Sequence, residues 1–170
     1  MEYKKEIEED YVNRLEIQFK RNGWDTFREV IPNECKNWKN PFRVDLIIHK
    51  KEIGYIGIEA KSINVRQGGV LAQAHKQIQK YRNKNYFNGV RIDLWAVAIK
   101  YNTSEDYAKI ISSSLMREFF CAYGIGFVFE NHSIDFGYSQ NWAKIPFNLS
   151  NDKMDIKKII ESQYKKNKTN

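Results

Sequence analysis

Asp45, Glu59 and Lys61 are the residues whose types and spacing could do chemistry in this chain. They stand in Pro41-Phe-Arg-Val-Asp45 and in Ile58-Glu59-Ala60-Lys61, with thirteen residues between Asp45 and Glu59. Both runs read as strands, over 42–48 and 54–61, joined by the polar turn His49-Lys-Lys-Glu52. Strand side chains alternate, so Glu59 and Lys61 share one face while Ile58 and Ala60 take the other. In the preceding strand Arg43, Asp45 and Ile47 lie opposite to Val44, Leu46 and Ile48. A reversal about residue 52 pairs residues whose numbers sum to 104, setting Asp45 against Glu59 and Arg43 against Lys61. Directly opposed residues hold their Cβ atoms about 4.5–5.5 Å apart, where two carboxylates destabilise a sheet unless something compensates. A divalent cation compensates, and carboxylate oxygens suit a hard ion such as Mg²⁺ or Mn²⁺, which keeps waters and accepts phosphate oxygens. Lys61 is then a fixed cation that offsets developing negative charge or orients an attacking water. Arg43 would neutralise part of the site or touch a phosphate. The other reading of the hairpin alone is a solvated ladder of salt bridges.

These residues need helices to frame them. The spacing predicts a helix over 2–22, with Ile7, Tyr11, Leu15 and Phe19 at four-residue steps, Val12 beside them, and Gly23 as the stop. Glu8 falls on the same stripe as Val12, Leu15 and Phe19. A carboxylate there either meets a partner or snorkels at the edge. A second helix is expected over 70–87, where Gln77 and Tyr81 lie one turn apart along the stripe of Val70, Leu71, Ala74 and Ile78. Both should point toward the sheet. Such a pair can bond a phosphate, a nucleobase or a metal-bound water, or can simply satisfy itself in the core.

Other elements follow the same logic. Residues 26–31 read as a short strand closed by Pro32, and 91–100 as a buried strand. A helix over 104–122, with Tyr107, Ile111, Leu115 and Phe119 at four-residue steps, reads as core or as a dimer face. Segments 126–130 and 133–136 form a hairpin around Asn131-His132, and an amphipathic helix is expected over 152–164. The order is αβββαβ followed by additions, an α/β arrangement of helices flanking a mixed sheet. Residues 1–162 read as one domain, without repeat, linker or low-complexity block, and 163–170 as a basic tail that frays.

Composition narrows the classes. The chain has 170 residues, 42% of them hydrophobic, with a net charge of +7. That charge fits a polyanionic partner such as nucleic acid, or an AT-rich coding bias. Cys35 and Cys121 are the only cysteines. They exclude a four-cysteine zinc or iron–sulfur site and read as reduced thiols in a cytoplasmic protein. The charged start and the lack of an apolar run of about 20 residues predict neither secretion signal nor membrane span. No P-loop, dinucleotide fingerprint or Ser/His/Asp arrangement is present. His49, His75 and His132 lack ligand spacing, and His49 and His132 read as turn residues. Trp38, between Lys36 and Lys39, either stacks on bases and holds phosphates or plugs the core edge. Arg66 with Gly68-Gly69 either approaches a phosphate backbone or belongs to a plain connector. Lys76, Lys80, Arg82 and Lys84 form a basic run beside the proposed site, as DNA contacts or as a solvated face.

Asp45, the thirteen-residue interval and Glu59-Ala60-Lys61, set in αβββαβ order, resemble the PD-(D/E)xK nuclease superfamily over roughly residues 6–100. Gln77-Ile-Gln-Lys-Tyr81 is similar to the Q-x-x-x-Y motif of its RecB-like and phage exonuclease branch. One departure is Val44 in place of the motif's proline, and the cysteines of the iron–sulfur members are missing. The resemblance implies a restriction-endonuclease-like core and Mg²⁺- or Mn²⁺-dependent hydrolysis of DNA phosphodiester bonds. Asp45, Glu59 and the Ala60 carbonyl would be metal ligands, with Glu8 assisting. Lys61 and Gln77 would be catalytic, and Tyr81 would bind DNA near the cut. Exonuclease and structure- or site-directed endonuclease both remain open, and small members often act as dimers or rings. A non-catalytic nucleic-acid-binding module with the same fold is the alternative, and a protein-binding adaptor a third reading.

Overall fold

The turn at 50–54 sets the centre of the sheet. Ile53 N–H donates to the Lys50 carbonyl at 2.9 Å, and Gly54 takes φ 94°, a left-handed conformation that glycine adopts without a Cβ penalty. The flanking runs therefore fold back as β2 (Val44–Lys50) and β3 (Gly54–Ile63). Their partners run from Lys50↔Gly54 to Leu46↔Ile58, so the numbers sum to 104 as the hairpin predicts. The computed structural model describes residues 7–63, 68–84, 86–101, 120, 123–129, 133–138 and 141–146.

In chain order the remaining elements are α1 (Glu8–Arg21), β1 (Asp25–Val30), a 3₁₀ turn (Asn33–Cys35), α2 (Gly68–Arg82), β4 (Leu94–Tyr101), β5 (Gly126–Phe129), β6 (Ser133–Tyr138) and β7 (Asn141–Pro146). The described strands form one sheet in the order β1-β2-β3-β4-β5-β6-β7. β3, β4 and β5 run parallel, and the other neighbours pair antiparallel. The architecture is α/β with a mixed sheet.

Each helix covers one face. Tyr11, Val12, Leu15 and Phe19 of α1 are buried with Leu46, Ile48, Ile56, Ile58 and Ala60. At about 1.5–3 kcal/mol for each large apolar side chain buried, this contact fixes where α1 begins. The helix closes with Gly23 at φ 75°, and Trp24 N–H reaches back to the Phe19 carbonyl at 3.1 Å. The Trp24 ring packs edge-on against Phe19, completing a Schellman cap. On the other face Ala74, Ile78 and Tyr81 of α2 pack with Ile47, Trp95, Val97 and Ile99.

The structure differs from the sequence reading at several points. His49 belongs to β2 rather than to a turn, because its ring stacks on Tyr55 at 4.3 Å and meets Asp25 at 3.1 Å. α2 ends at Arg82 instead of 87, since Phe87 pairs with Val90 through N–H···O bonds of 2.8 and 3.0 Å. β7 extends the sheet beyond the expected hairpin. Of the helix expected over 104–122 the described residues include Phe120, which is helical and buried on the α2 face. The expected helix over 152–164, the tail, Arg66, Cys121 and His132 lie outside the described residues. Among those residues no helix is long and apolar enough to cross a membrane.

Candidate active site

β2 breaks its pairing at Asp45. The β2–β3 ladder ends at Leu46↔Ile58, and the β1–β2 ladder passes from Arg28↔Leu46 to Val30↔Val44, omitting Glu29 and Asp45. Glu29 has φ 52°, a strained conformation for a residue with a side chain. Strict alternation would put Val44 with Leu46 and Ile48, yet Val44 packs on the α2 face while they pack on the α1 face. The bend lets the Asp45 side chain replace a ladder contact: Ala60 N–H donates to its Oδ2 at 2.8 Å.

Glu59 and Lys61 follow in β3 on the α2 face, in register with Val97 and Ile99 of β4. Glu59 is completely buried and Lys61 nearly so. Lys61 Nζ lies 2.6 Å from Glu59 Oε1 and 3.2 Å from Glu8 Oε1. The contact to Glu59 is a close ion pair outside hydrogen-bonding geometry, and Oε1 remains a buried acceptor without a hydrogen-bond partner. The Tyr81 hydroxyl sits 3.0 Å from Glu59 Oε2 and 2.7 Å from the Arg43 carbonyl. One phenolic proton cannot serve two acceptors. Glu59 and the Arg43 carbonyl therefore compete for it.

Burial, and after it the charge of Asp45, pushes the Glu59 carboxyl up to about 7, against Lys61 and Tyr81. Burial also raises Asp45, opposed by the Ala60 N–H and Lys61. For Lys61 burial alone favours the neutral amine, but Glu59, Asp45 and Glu8 outweigh it and its pKa rises. Lys61 therefore stays an ammonium at neutral pH. Burial and then Glu59 raise Tyr81, which keeps its proton.

Four elements, α1, β2, β3 and α2, thus bring Glu8, Asp45, Glu59, Lys61 and Tyr81 together. Gln77, half-buried one turn before Tyr81, hydrogen-bonds to it. Arg43 does not oppose Lys61. It lies before β2, its carbonyl serves Tyr81, and its exposed guanidinium pairs with Glu29 at 3.2 Å. Lys76 and Lys80 are exposed on α2. Trp38 is 51% exposed and does not plug the core. Two positioning features have little sequence signal. Glu29 lies in the field of Asp45 from β1. Trp95 stacks on Tyr81 at 5.3 Å, over Gly57, where a Cβ would collide with the indole.

Among the described residues no three His, Cys, Asp or Glu side chains converge into a metal-holding group. Glu8 instead meets the Lys61 ammonium. Asp45 and Glu59 are carboxylates, the donor type of which Mg²⁺ takes one or two from a protein while it retains waters. Glu59 Oε1 already faces the Lys61 ammonium at 2.6 Å, which a cation bound there would have to displace. No protein-family model, curated protein or solved structure matches the chain.

Proposed function

We propose that this chain is a metal-dependent nuclease of the PD-(D/E)xK type that hydrolyses phosphodiester bonds of DNA. The observation that carries the reading is a buried Glu59 held between the Lys61 ammonium and the Tyr81 hydroxyl, beside Asp45 at the break between β2 and β3. The αβββαβ order of the elements before β5 supports the restriction-endonuclease-like core.

Asp45, Glu59 and the Ala60 carbonyl would hold Mg²⁺ or Mn²⁺. Bound there, the ion supplies Lewis-acid polarisation of a phosphoryl oxygen and a water more acidic than bulk water. The chain's own groups do the rest. Lys61 keeps its proton on Nζ, so it acts as a fixed positive charge beside the phosphate and not as a base. Tyr81, aligned by Gln77 and Trp95, holds Oε2 of Glu59 in place. Glu8 keeps the ammonium from collapsing entirely onto Glu59 by accepting its second contact. In the metal-free protein Glu59 is poised near neutrality, and a bound cation would compete with its proton for the same oxygens.

A second reading, a non-catalytic nucleic-acid-binding module, is favoured by Lys61 already neutralising Glu59 and by the lack of a three-ligand group among the described residues. Incubation with linear and closed circular DNA in Mg²⁺, Mn²⁺ or EDTA separates the two. Metal-dependent cutting that Lys61→Ala abolishes supports the nuclease. Cutting restricted to linear DNA makes it an exonuclease. Binding without cutting in either metal refutes the nuclease reading.

A further inference from the structure

We infer that the ledge carrying Trp38 binds an unpaired nucleic-acid strand, stacking a base on the indole and holding phosphates along the lysines of α2. Trp38 is half exposed although it sits in a tightly anchored loop. Its N–H donates to the Cys35 carbonyl at 3.0 Å, and Asn33 N–H donates to the Tyr86 carbonyl at 2.9 Å. Pro32 bridges Phe87, and Cys35 is fully buried below. A large aromatic ring offered to solvent on a rigid base loses little conformational freedom when a flat ligand covers it.

The surroundings select the ligand. Lys84 Nζ stands 5.4 Å from the Trp38 ring centre and 3.0 Å from Glu34. Lys76 and Lys80 lie one turn apart and exposed on α2, and Lys84 follows just beyond the end of the helix. Lys36 and Lys39 are exposed on either side of Trp38 in sequence. Exposed cations around an aromatic face match the alternation of phosphates and bases in a single strand. A duplex covers its base faces by stacking and cannot offer one to the indole except at an end. Beneath the ledge, ring contacts tie its base to the candidate active site. Trp38 meets Phe42 edge-on at 5.9 Å, Phe42 meets Tyr81 at 5.4 Å, and Tyr81 touches Glu59.

The inference rests on the nuclease reading for the direction in which the strand runs, toward Glu59, and its test needs no cutting. Fluorescence anisotropy of labelled thymidine and uridine oligomers of about 12 nucleotides, in EDTA, measures binding alone. Trp38→Ala should weaken binding about five- to hundredfold, while Trp38→Phe should restore most of it. Lys76→Ala with Lys80→Ala should lower the slope of log affinity against log salt by about 1.4. Preference between the two oligomers identifies DNA or RNA as the source of the strand. Undiminished binding by Trp38→Ala, or tighter binding to the matching duplex than to the single strand, overturns the inference. Both sets of exposed substitutions are checked by thermal melting, and the lysine pair decides the matter should Trp38→Ala disturb the loop. Trp38-dependent binding by a protein that never cuts in Mg²⁺ upholds the ledge and removes the nuclease.

Discussion

Replacing Glu59 by Gln should flatten the pH dependence of folding stability in the metal-free protein. Burial of Glu59, with the charge of Asp45 second, moves its carboxyl from 4.5 to about 7. In the unfolded chain the acid ionises above about pH 4.5, whereas the fold retains the proton until about pH 7. Between those values the folded state binds the extra proton, so stability falls as pH rises, by about 1.4 kcal/mol per pH unit. The loss is absent below the lower value, complete above the upper one, and totals on the order of 3 kcal/mol. Other titrating groups add slopes of their own, but Glu59→Gln keeps them and removes this one. Urea titrations in EDTA from about pH 5 to about pH 8.5 therefore compare the two proteins directly. With a urea slope of about 1–3 kcal/mol per molar, the midpoint difference between them should change by roughly 1–3 M across that range. Parallel curves would refute the reasoning, because they require Glu59 to be ionised throughout, with Lys61 outweighing burial and Asp45.

Three further outcomes are expected. A proton and a divalent cation compete for the same carboxylate oxygens, so Mg²⁺ or Mn²⁺ should raise the melting temperature at about pH 8 and much less at about pH 5.5. Scanning fluorimetry reads this, and a gain that survives Asp45→Asn places the ion elsewhere. Lys61→Ala should cost about 3 kcal/mol or more at about pH 8, by leaving Glu59 buried without its cation, and less in acid as Glu59 takes up a proton; an equal loss at both pH values sinks the ion pair. Gly57→Ala should destabilise by about 1–3 kcal/mol through collision with Trp95 and alter the near-ultraviolet dichroism of the stacked Tyr81; an unchanged spectrum and melting point would show that the indole yields freely.

Periodicity made some of this arrangement legible and concealed the rest. The β2–β3 register follows from a polar turn ending in Gly54 and from apolar residues at alternate positions, because a one-residue slip would turn Ile56, Ile58 and Ala60 out of the α1 core. Tyr81 is buried where the α2 stripe places it, with Ala74 and Ile78. Glu8 lies at the end of the α1 stripe, still 45% exposed, and reaches Lys61 because α1 begins beside the end of β3. Alternation fails at Asp45. A short acidic side chain competes with the backbone for its own hydrogen bonds, and nothing in Phe-Arg-Val-Asp reveals that Asp45 will take the Ala60 N–H. Arg43 is consequently misplaced by simple register, as is Val44. β7 was illegible for another reason: Asn-Trp-Ala-Lys-Ile-Pro is short and closes on a proline, so its alternation is weak.

The break at Asp45 is what allows two acids to share this site. In an unbroken ladder Asp45 and Glu59 would stand opposed, and their repulsion would add to the cost of burying Glu59. With β2 bent, each acid acquires a different partner. Asp45 is anchored by a peptide N–H, and Glu59 by Lys61 and Tyr81. They remain close enough for the Asp45 charge to raise the Glu59 pKa. The strain at Glu29, on the neighbouring strand, accompanies that bend. If the bend served packing alone, a neutral Asp45→Asn side chain could accept the same Ala60 N–H and stability would hardly change. A role in balancing charge requires more: Asp45→Asn must lower the Glu59 pKa and move the pH window of Glu59 downward. The same urea titrations read that displacement, and an unmoved window would leave the bend a packing feature.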